Sequence, residues 1–123
     1  MTKAVVLIVE NEALIRMSAV QMVEDAGYTV LEACNADEAI RILECRSDIG
    51  GVFTDINMPG SMDGLKLAHS IRGRWPSIHL LVTSGLNIRD QLPAKGRFVL
   101  KPYSAHHVAT ALSELFGSYP APN

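Results

Sequence analysis

Residues 5–12 read Val-Val-Leu-Ile-Val-Glu-Asn-Glu: five branched aliphatic side chains in unbroken succession, then three polar ones. A half-buried strand would alternate, and a surface helix would show a polar face. A short continuous run that ends in polar residues reads as a strand buried on both sides. A second run of this kind, Ile-His-Leu-Leu-Val, lies at 78–82, and shorter ones stand at 29–31 (Thr-Val-Leu), 51–54 (Gly-Val-Phe-Thr) and 97–100 (Arg-Phe-Val-Leu). Between the runs the spacing turns helical. Over 13–26, Leu14, Met17, Ser18, Gln21, Met22 and Asp25 recur at three- and four-residue steps. Ile15, Ala19, Val20 and Val23 widen that apolar face, so Met17 and Met22 are expected in the core. Over 36–46, Ala39, Ile40 and Leu43 share one side while Asp37, Glu38, Arg41 and Glu44 share the other. A third helix is expected over 64–74, stopping before Trp75-Pro76 because a residue preceding proline avoids the helical region. Trp75 reads as a packing cap. A last helix is expected over 105–116, entered past Pro102 and Ser104 and ended by Gly117. Asn35 with Glu38 three residues on approaches a capping box, and Gly27 suits the turn after the first helix.

Strands alternating with helices specify an α/β fold, and the right-handed crossover rule makes the sheet parallel with helices on both faces. The 123 residues suffice for one domain, and a chain that is 48% hydrophobic and 20% charged supports a packed core. Eleven basic against thirteen acidic residues leave a net charge of −2 without a basic block, which excludes nucleic-acid binding by bulk electrostatics. No apolar run approaches the roughly 20 residues of a membrane span, and Met1-Thr2-Lys3 followed by residues 4–9 is too short for a secretory signal. The expected location is the cytoplasm, where Cys34 and Cys45, lacking CxxC spacing, would be reduced thiols. The histidines at 69, 79, 106 and 107 lack ligand spacing. No glycine-rich phosphate loop follows the first strand, so nucleotide binding has no motif behind it.

In an open parallel sheet, ligands bind beyond the carboxyl ends of the strands. There the sequence places Glu10-Asn11-Glu12, Asp55, Thr83-Ser84-Gly85 and Lys101-Pro102 after the first, third, fourth and fifth runs. Two acidic groups, a hydroxyl and a lysine at one end of a sheet suit a hard cation and a phosphoryl group.

These segments resemble the receiver domain of response regulators, the phospho-accepting partner of histidine kinases in two-component signalling. The matching pieces are VLIVENE (6–12), FTDINMPGSMDGL (53–65), LLVTSG (80–85) and FVLKPY (98–103), which arrive in family order across residues 4–117. The resemblance implies a flavodoxin-like (βα)5 fold, a doubly wound five-stranded parallel sheet in the order 2-1-3-4-5, filling 1–117 with a disordered tail at 118–123. It implies that Asp55 accepts a phosphoryl group from a sensor histidine kinase or a histidine phosphotransfer protein, with Lys101 and Thr83 contacting that group. Thr83 and Phe98 would form the conformational switch. Glu10, Asn11, Asp55 and the main-chain carbonyl of Asn57 would hold Mg²⁺. Such a stand-alone, chemotaxis-regulator-like receiver is a phosphoprotein rather than a turnover enzyme, limited to its own phosphorylation and slow dephosphorylation. It would touch neither nucleic acid nor membrane directly and would be a monomer or weak homodimer. The rival readings are a non-phosphorylated interaction module and the receiver portion of a DNA-binding regulator.

Three features depart from the family pattern. Asn11 stands where most active receivers carry an aspartate, and Glu10 is longer than the commoner aspartate, so Mg²⁺ binding is expected to be weakened rather than abolished. The loop at 58–64 is one residue longer than usual. Between Thr83 and Lys101 the span is about four residues short and Pro93 interrupts 86–96, so the fourth helix is expected to be shortened or irregular. That argues against output through the usual dimer face.

Overall fold

The computed structural model describes residues 4–57 and 63–117. The elements are β1 (Val5–Val9), α1 (Ala13–Asp25), β2 (Thr29–Ala33), α2 (Ala36–Cys45), β3 (Ile49–Asp55), α3 (Gly64–Arg74), β4 (His79–Ser84), β5 (Arg97–Leu100) and α4 (Ala105–Phe116). All strand pairs are parallel, in the order β2-β1-β3-β4-β5. The unbroken apolar run of β1 follows from its place inside this sheet. Leu7 and Val9 face a core with Val52, Leu80 and Val82 beneath α2 and α3. Val6 and Ile8 face a second core with Phe53 and Leu81 beneath α1 and α4. A strand with both faces covered has no position for a polar side chain until it ends, at Glu10.

Local chemistry sets the helix ends. Asn35 Oδ1 accepts the Glu38 N–H at 2.8 Å, whereas the Glu38 carboxylate accepts the Cys34 N–H at 2.7 Å, one residue short of a full capping box. Asp63 caps α3 by accepting the Lys66 N–H at 2.9 Å. At α4 the Ser104 hydroxyl accepts the His107 N–H, and His107 Nδ1 accepts the Ser104 N–H. Each such cap stabilises its helix by about 1 kcal/mol. Gly27 (φ 104°) and Gly117 (φ 70°) close α1 and α4 in the left-handed region that glycine enters without strain.

One expectation is corrected. The buried face of α1 is Ala19 and Val23, while Leu14 and Met17 are 81% and 63% exposed. Met17 is therefore not a core residue, although Met22 does pack, partly buried, against the second core. At 3.6 residues per turn, Leu14 and Met17 lie about 140° and 200° around the helix from Ala19. Apolar residues surround α1, so periodicity singled out a stripe nearly opposite the one that the sheet accepts.

The fourth crossover, 85–96, contains no α-helix, only a 3₁₀ turn at Arg89–Gln91. The fourth helix of the (βα)5 pattern is thus replaced by an irregular segment, in line with the short span and Pro93. Side chains of α3 hold the segment instead. His69 Nε2 pairs with the Gln91 carbonyl at 2.8 Å, and Arg72 Nε donates to the Ala94 carbonyl at 2.8 Å. Arg72 Nη1 also donates to the carbonyls of Pro76 and Ile78, at 2.9 and 2.8 Å. Ile88 and Leu92 pack onto the core from above.

Trp75, half-buried against the same core, carries the Arg74 guanidinium over its ring, as its reading as a packing cap anticipated. Cys34 and Cys45 are free and exposed. Among the described residues no helix is long and apolar enough to cross a membrane. The lengthened part of the loop, with Met58 and Met62, and the tail at 118–123 lie outside the described residues.

Candidate functional site

Strand register brings the polar residues together. Asp55, the last residue of β3, pairs with Thr83 of β4, and Ser84 pairs with Leu100 of β5. The Lys101 N–H donates to the Ser84 carbonyl at 2.9 Å, which sets the lysine one step beyond that pair. On the other side β1 ends beside Thr54, so Glu10 leaves the sheet next to Asp55.

The geometry is specific. The Asp55 side chain is buried; its Oδ2 accepts from Lys101 Nζ at 2.8 Å and its Oδ1 from the Asn57 N–H at 3.2 Å. Glu10 is equally buried, and its Oε2 accepts the Glu12 N–H at 2.9 Å. Burial above all holds the Glu10 carboxyl above its ordinary 4.5; the Glu12 N–H pulls it down, Asp55 raises it by hydrogen bond and charge, and Lys101 lowers it. Two carboxylates thus share a poorly solvated space with one ammonium. The Thr83 hydroxyl is buried with no hydrogen-bond partner among the described residues, an arrangement that costs about 1–3 kcal/mol unless another group supplies one. Asn11 and Asn57 are exposed on the loops above.

These groups can hold two kinds of ligand. Glu10 and Asp55 offer carboxylate oxygens and Asn11 and Asn57 offer neutral oxygens, a donor set that fits Mg²⁺, which keeps several waters and needs only one or two carboxylates. Among the described residues no three His, Cys, Asp or Glu side chains are grouped to bind a metal, so the fit rests on two acids and neutral oxygens. Lys101 and the unpartnered Thr83 hydroxyl are donors suited to phosphoryl oxygens.

Phe98 stands apart. It is buried and pairs with Val82, while Thr83 pairs with Val99, so Thr83 and Phe98 point to opposite faces of the sheet. The Arg89 guanidinium lies 5.0 Å from the centre of the Phe98 ring.

Two neighbours of the site had no role assigned from sequence. A Cβ on Gly64, at the start of α3, would lie 1.9 Å from the Asp55 carbonyl oxygen and 2.8 Å from Ile56 Cα, so only glycine lets α3 approach β3 this closely. The sequence placed a helix start at Gly64 but did not show this approach. Tyr103 packs its ring 5.7 Å from that of Phe53. Burial, then the charges of Glu10 and Asp55, push its hydroxyl above the ordinary 10. An aromatic residue two places after Lys101 was the available signal.

Comparison with known proteins bears on the family and the fold. The family profile of the response regulator receiver domain matches residues 6–112. The chain is 36% identical over 121 residues to the sensor kinase CckA of Brucella abortus, covering 91% of this chain and 12% of that protein. It is 30% identical to the hydrogenase transcriptional regulatory protein HoxA of Cupriavidus necator, covering 86% of this chain and 23% of that one. The chain thus spans less than a quarter of the length of these relatives. Against the chemotaxis protein CheY of Thermotoga maritima it is 32% identical, covering 89% of this chain and 95% of that protein. Among solved structures, the receiver domain of the hybrid histidine kinase CckA superposes with a TM-score of 0.76 at 28% identity, covering 90% of this chain and 97% of that one. A response regulator receiver protein from Sinorhizobium medicae superposes with a TM-score of 0.86 at 24% identity, covering 94% and 96%, which bears on the fold alone.

Proposed function

This chain belongs to the response regulator receiver domain family, signalling domains of two-component systems, and we propose that it takes a phosphoryl group onto Asp55 in a phosphorelay. The observation that supports the assignment is the buried Asp55 carboxylate, held at 2.8 Å by Lys101 beside a buried, unpartnered Thr83 hydroxyl.

The donor is a phosphohistidine of a sensor kinase or of a phosphotransfer protein. A carboxylate oxygen of Asp55 attacks phosphorus, an O–P bond forms, the N–P bond to the donor imidazole breaks, and its electron pair stays on the ring nitrogen. Lys101 holds the attacking carboxylate in place and then follows the charge onto the phosphoryl oxygens, a single ammonium acting as a point charge. The Asn57 N–H keeps Asp55 oriented from its other oxygen. Glu10, Asp55, the Asn11 side chain and the Asn57 carbonyl would hold Mg²⁺, which supplies neutralisation of charge on the transferring group when bound. Asparagine at 11 removes one formal charge from that set and weakens it.

The Thr83 hydroxyl gains its missing partner when it donates to a phosphoryl oxygen. That gain is the free energy available to bias two conformations of the β4 end and the crossover beyond it. Phe98 and Arg89 at the edge of β5 report the change to a partner protein. The domain works in the cytoplasm, and its only chemistry is its own phosphorylation and slow hydrolysis of the acyl phosphate.

The test is incubation with acetyl phosphate, with and without Mg²⁺, followed by intact mass, with Asp55→Asn as control. A Mg²⁺-dependent gain of one phosphoryl group that vanishes in the variant is the expected result. An adduct that survives in Asp55→Asn refutes the assignment of the acceptor. No adduct from acetyl phosphate or from a phosphorylated histidine phosphotransfer domain favours the interaction-module reading, to which Asn11 lends support.

A further inference from the structure

One charged side chain near the site reaches it through the backbone rather than through a functional group. Arg16, on the second turn of α1, turns back toward the strand ends. Its Nη1 donates to the Glu10 carbonyl oxygen at 2.8 Å, and its Nε donates to Glu32 Oε1 at 3.0 Å. Glu32 lies on β2, on the neighbouring strand, so the planar guanidinium ties α1 and β2 to the residue where β1 ends. Arg16 is 21% exposed, far less than the other arginines of surface ion pairs here, which are 45–51% exposed.

The rest of the β1–α1 loop is lightly held. The Glu12 side chain makes no cap to α1. The Glu12 N–H is bonded, but its acceptor is the Glu10 carboxylate, the group offered to a cation. When that carboxylate turns toward Mg²⁺ it weakens its hold on the loop. Two anchors remain for Glu10: the ladder bond from its N–H to the Ala33 carbonyl, and Arg16 on its own carbonyl. The ladder bond fixes the strand; Arg16 fixes the direction in which the chain leaves it, and with that the positions of Glu10 and Asn11.

We infer that Arg16 is a positioning residue for the Mg²⁺ site: it sets the Glu10–Asn11 loop through the Glu10 carbonyl and raises metal affinity without touching the metal. The inference rests on the receiver reading above. Loss of groups that orient ligands typically weakens metal binding about 10- to 100-fold. Arg16→Ala is therefore expected to bind Mg²⁺ about tenfold more weakly or worse, with every ligand intact.

The test titrates Mg²⁺ into the full chain and follows the backbone amide signals of Glu12 and Asn57 by NMR, alongside thermal unfolding. Arg16→Lys restores a donor to the Glu10 carbonyl and is expected to recover most of the affinity. Glu32→Ala removes the ion pair but leaves that donor, and is expected to lose less than Arg16→Ala. Wild-type affinity in Arg16→Ala overturns the inference, as does an equal loss in Glu32→Ala, which would place the effect in the ion pair and in stability. Should Arg16→Ala fail to fold, Arg16→Lys with no better affinity than Glu32→Ala overturns it equally. A wild-type chain that neither binds Mg²⁺ nor takes a phosphoryl group overturns the receiver reading and this inference together, a different result from a wild type that does both while Arg16→Ala matches it.

Discussion

Gly64→Ala is the sharpest perturbation that this site offers, because one methyl group sets helix propensity against geometry. Alanine in a helix ordinarily gains roughly 0.5–1 kcal/mol over glycine. At Gly64, however, the new Cβ would stand 1.9 Å from the Asp55 carbonyl oxygen, 2.7 Å from its carbonyl carbon and 2.8 Å from Ile56 Cα. Ordinary contact begins near 3.5 Å, so α3 and the end of β3 must separate by about 1.5 Å. All three neighbours are backbone, and none can rotate aside. Overpacking of this kind costs about 1–3 kcal/mol, which exceeds the propensity gain. If Asp55 takes half the displacement, its 2.8 Å contact with Lys101 opens toward about 3.5 Å, past hydrogen-bonding distance. A misplaced nucleophile of that order slows reaction by about 10²-fold. The assay is the initial rate of phosphoryl incorporation from acetyl phosphate, with thermal unfolding on the same sample. Gly73→Ala, in the same helix with nothing within 4 Å of the new Cβ, is the control and should stabilise without slowing transfer. A Gly64→Ala protein that reacts at the wild-type rate and melts higher, as Gly73→Ala should, would refute the reasoning.

Thr83→Val replaces a buried, unpartnered hydroxyl with a methyl of the same shape and should raise the unfolding free energy by about 1 kcal/mol in urea titration; a loss would mean that the hydroxyl has a partner in solution. Glu10 and His79 should give opposite pH dependences. Glu10 is held above 4.5, so its contribution to stability is complete below that pH and fades as pH rises through the folded-state value; Glu10→Gln should flatten this decline in thermal unfolding. Burial, then Arg72, holds His79 below 6.5, so its contribution is present above that pH and is lost as pH falls through the lowered value, a loss that His79→Gln should remove. Asn11→Asp restores a charged ligand and should tighten Mg²⁺ binding severalfold by amide-shift titration; unchanged affinity would exclude residue 11 from the metal shell.

Much of this architecture was legible because local chemistry and tertiary position agree. The end of α3 and both bounds of α4 follow from Trp75-Pro76, Ser104 and Gly117, residues whose backbone preferences act within a few positions. The site was legible for a similar reason: a parallel sheet sends the residues after β1, β3, β4 and β5 to one end, whatever the packing. What could not be read depended on contacts distant in sequence. The inward face of α1 is chosen by what β1 and α4 can accept, and apolar residues all round the helix leave periodicity indifferent. Pro93 signalled a broken helix in the fourth crossover, but not that His69 and Arg72 would take its place. The tight approach at Gly64 and the backward reach of Arg16 are facts of three-dimensional assembly, and neither residue type announces them.

The absent fourth helix has a consequence for how rigidity is distributed. Residues 85–96 are fastened by two side chains of α3 gripping carbonyl oxygens and by isolated turns, not by a ladder of amide bonds. In hydrogen exchange their amides should trade with solvent through local openings well below the global unfolding free energy, while those of β1 and β3 wait for the whole domain. The molecule is then stiff through the strands that carry Glu10 and Asp55 and yielding along the margin that carries Phe98 and Arg89. Substitutions at His69 or Arg72, five and eight residues along α3 from the Gly64 that abuts Asp55, would set the softness of that margin and leave the Asp55–Lys101 contact alone.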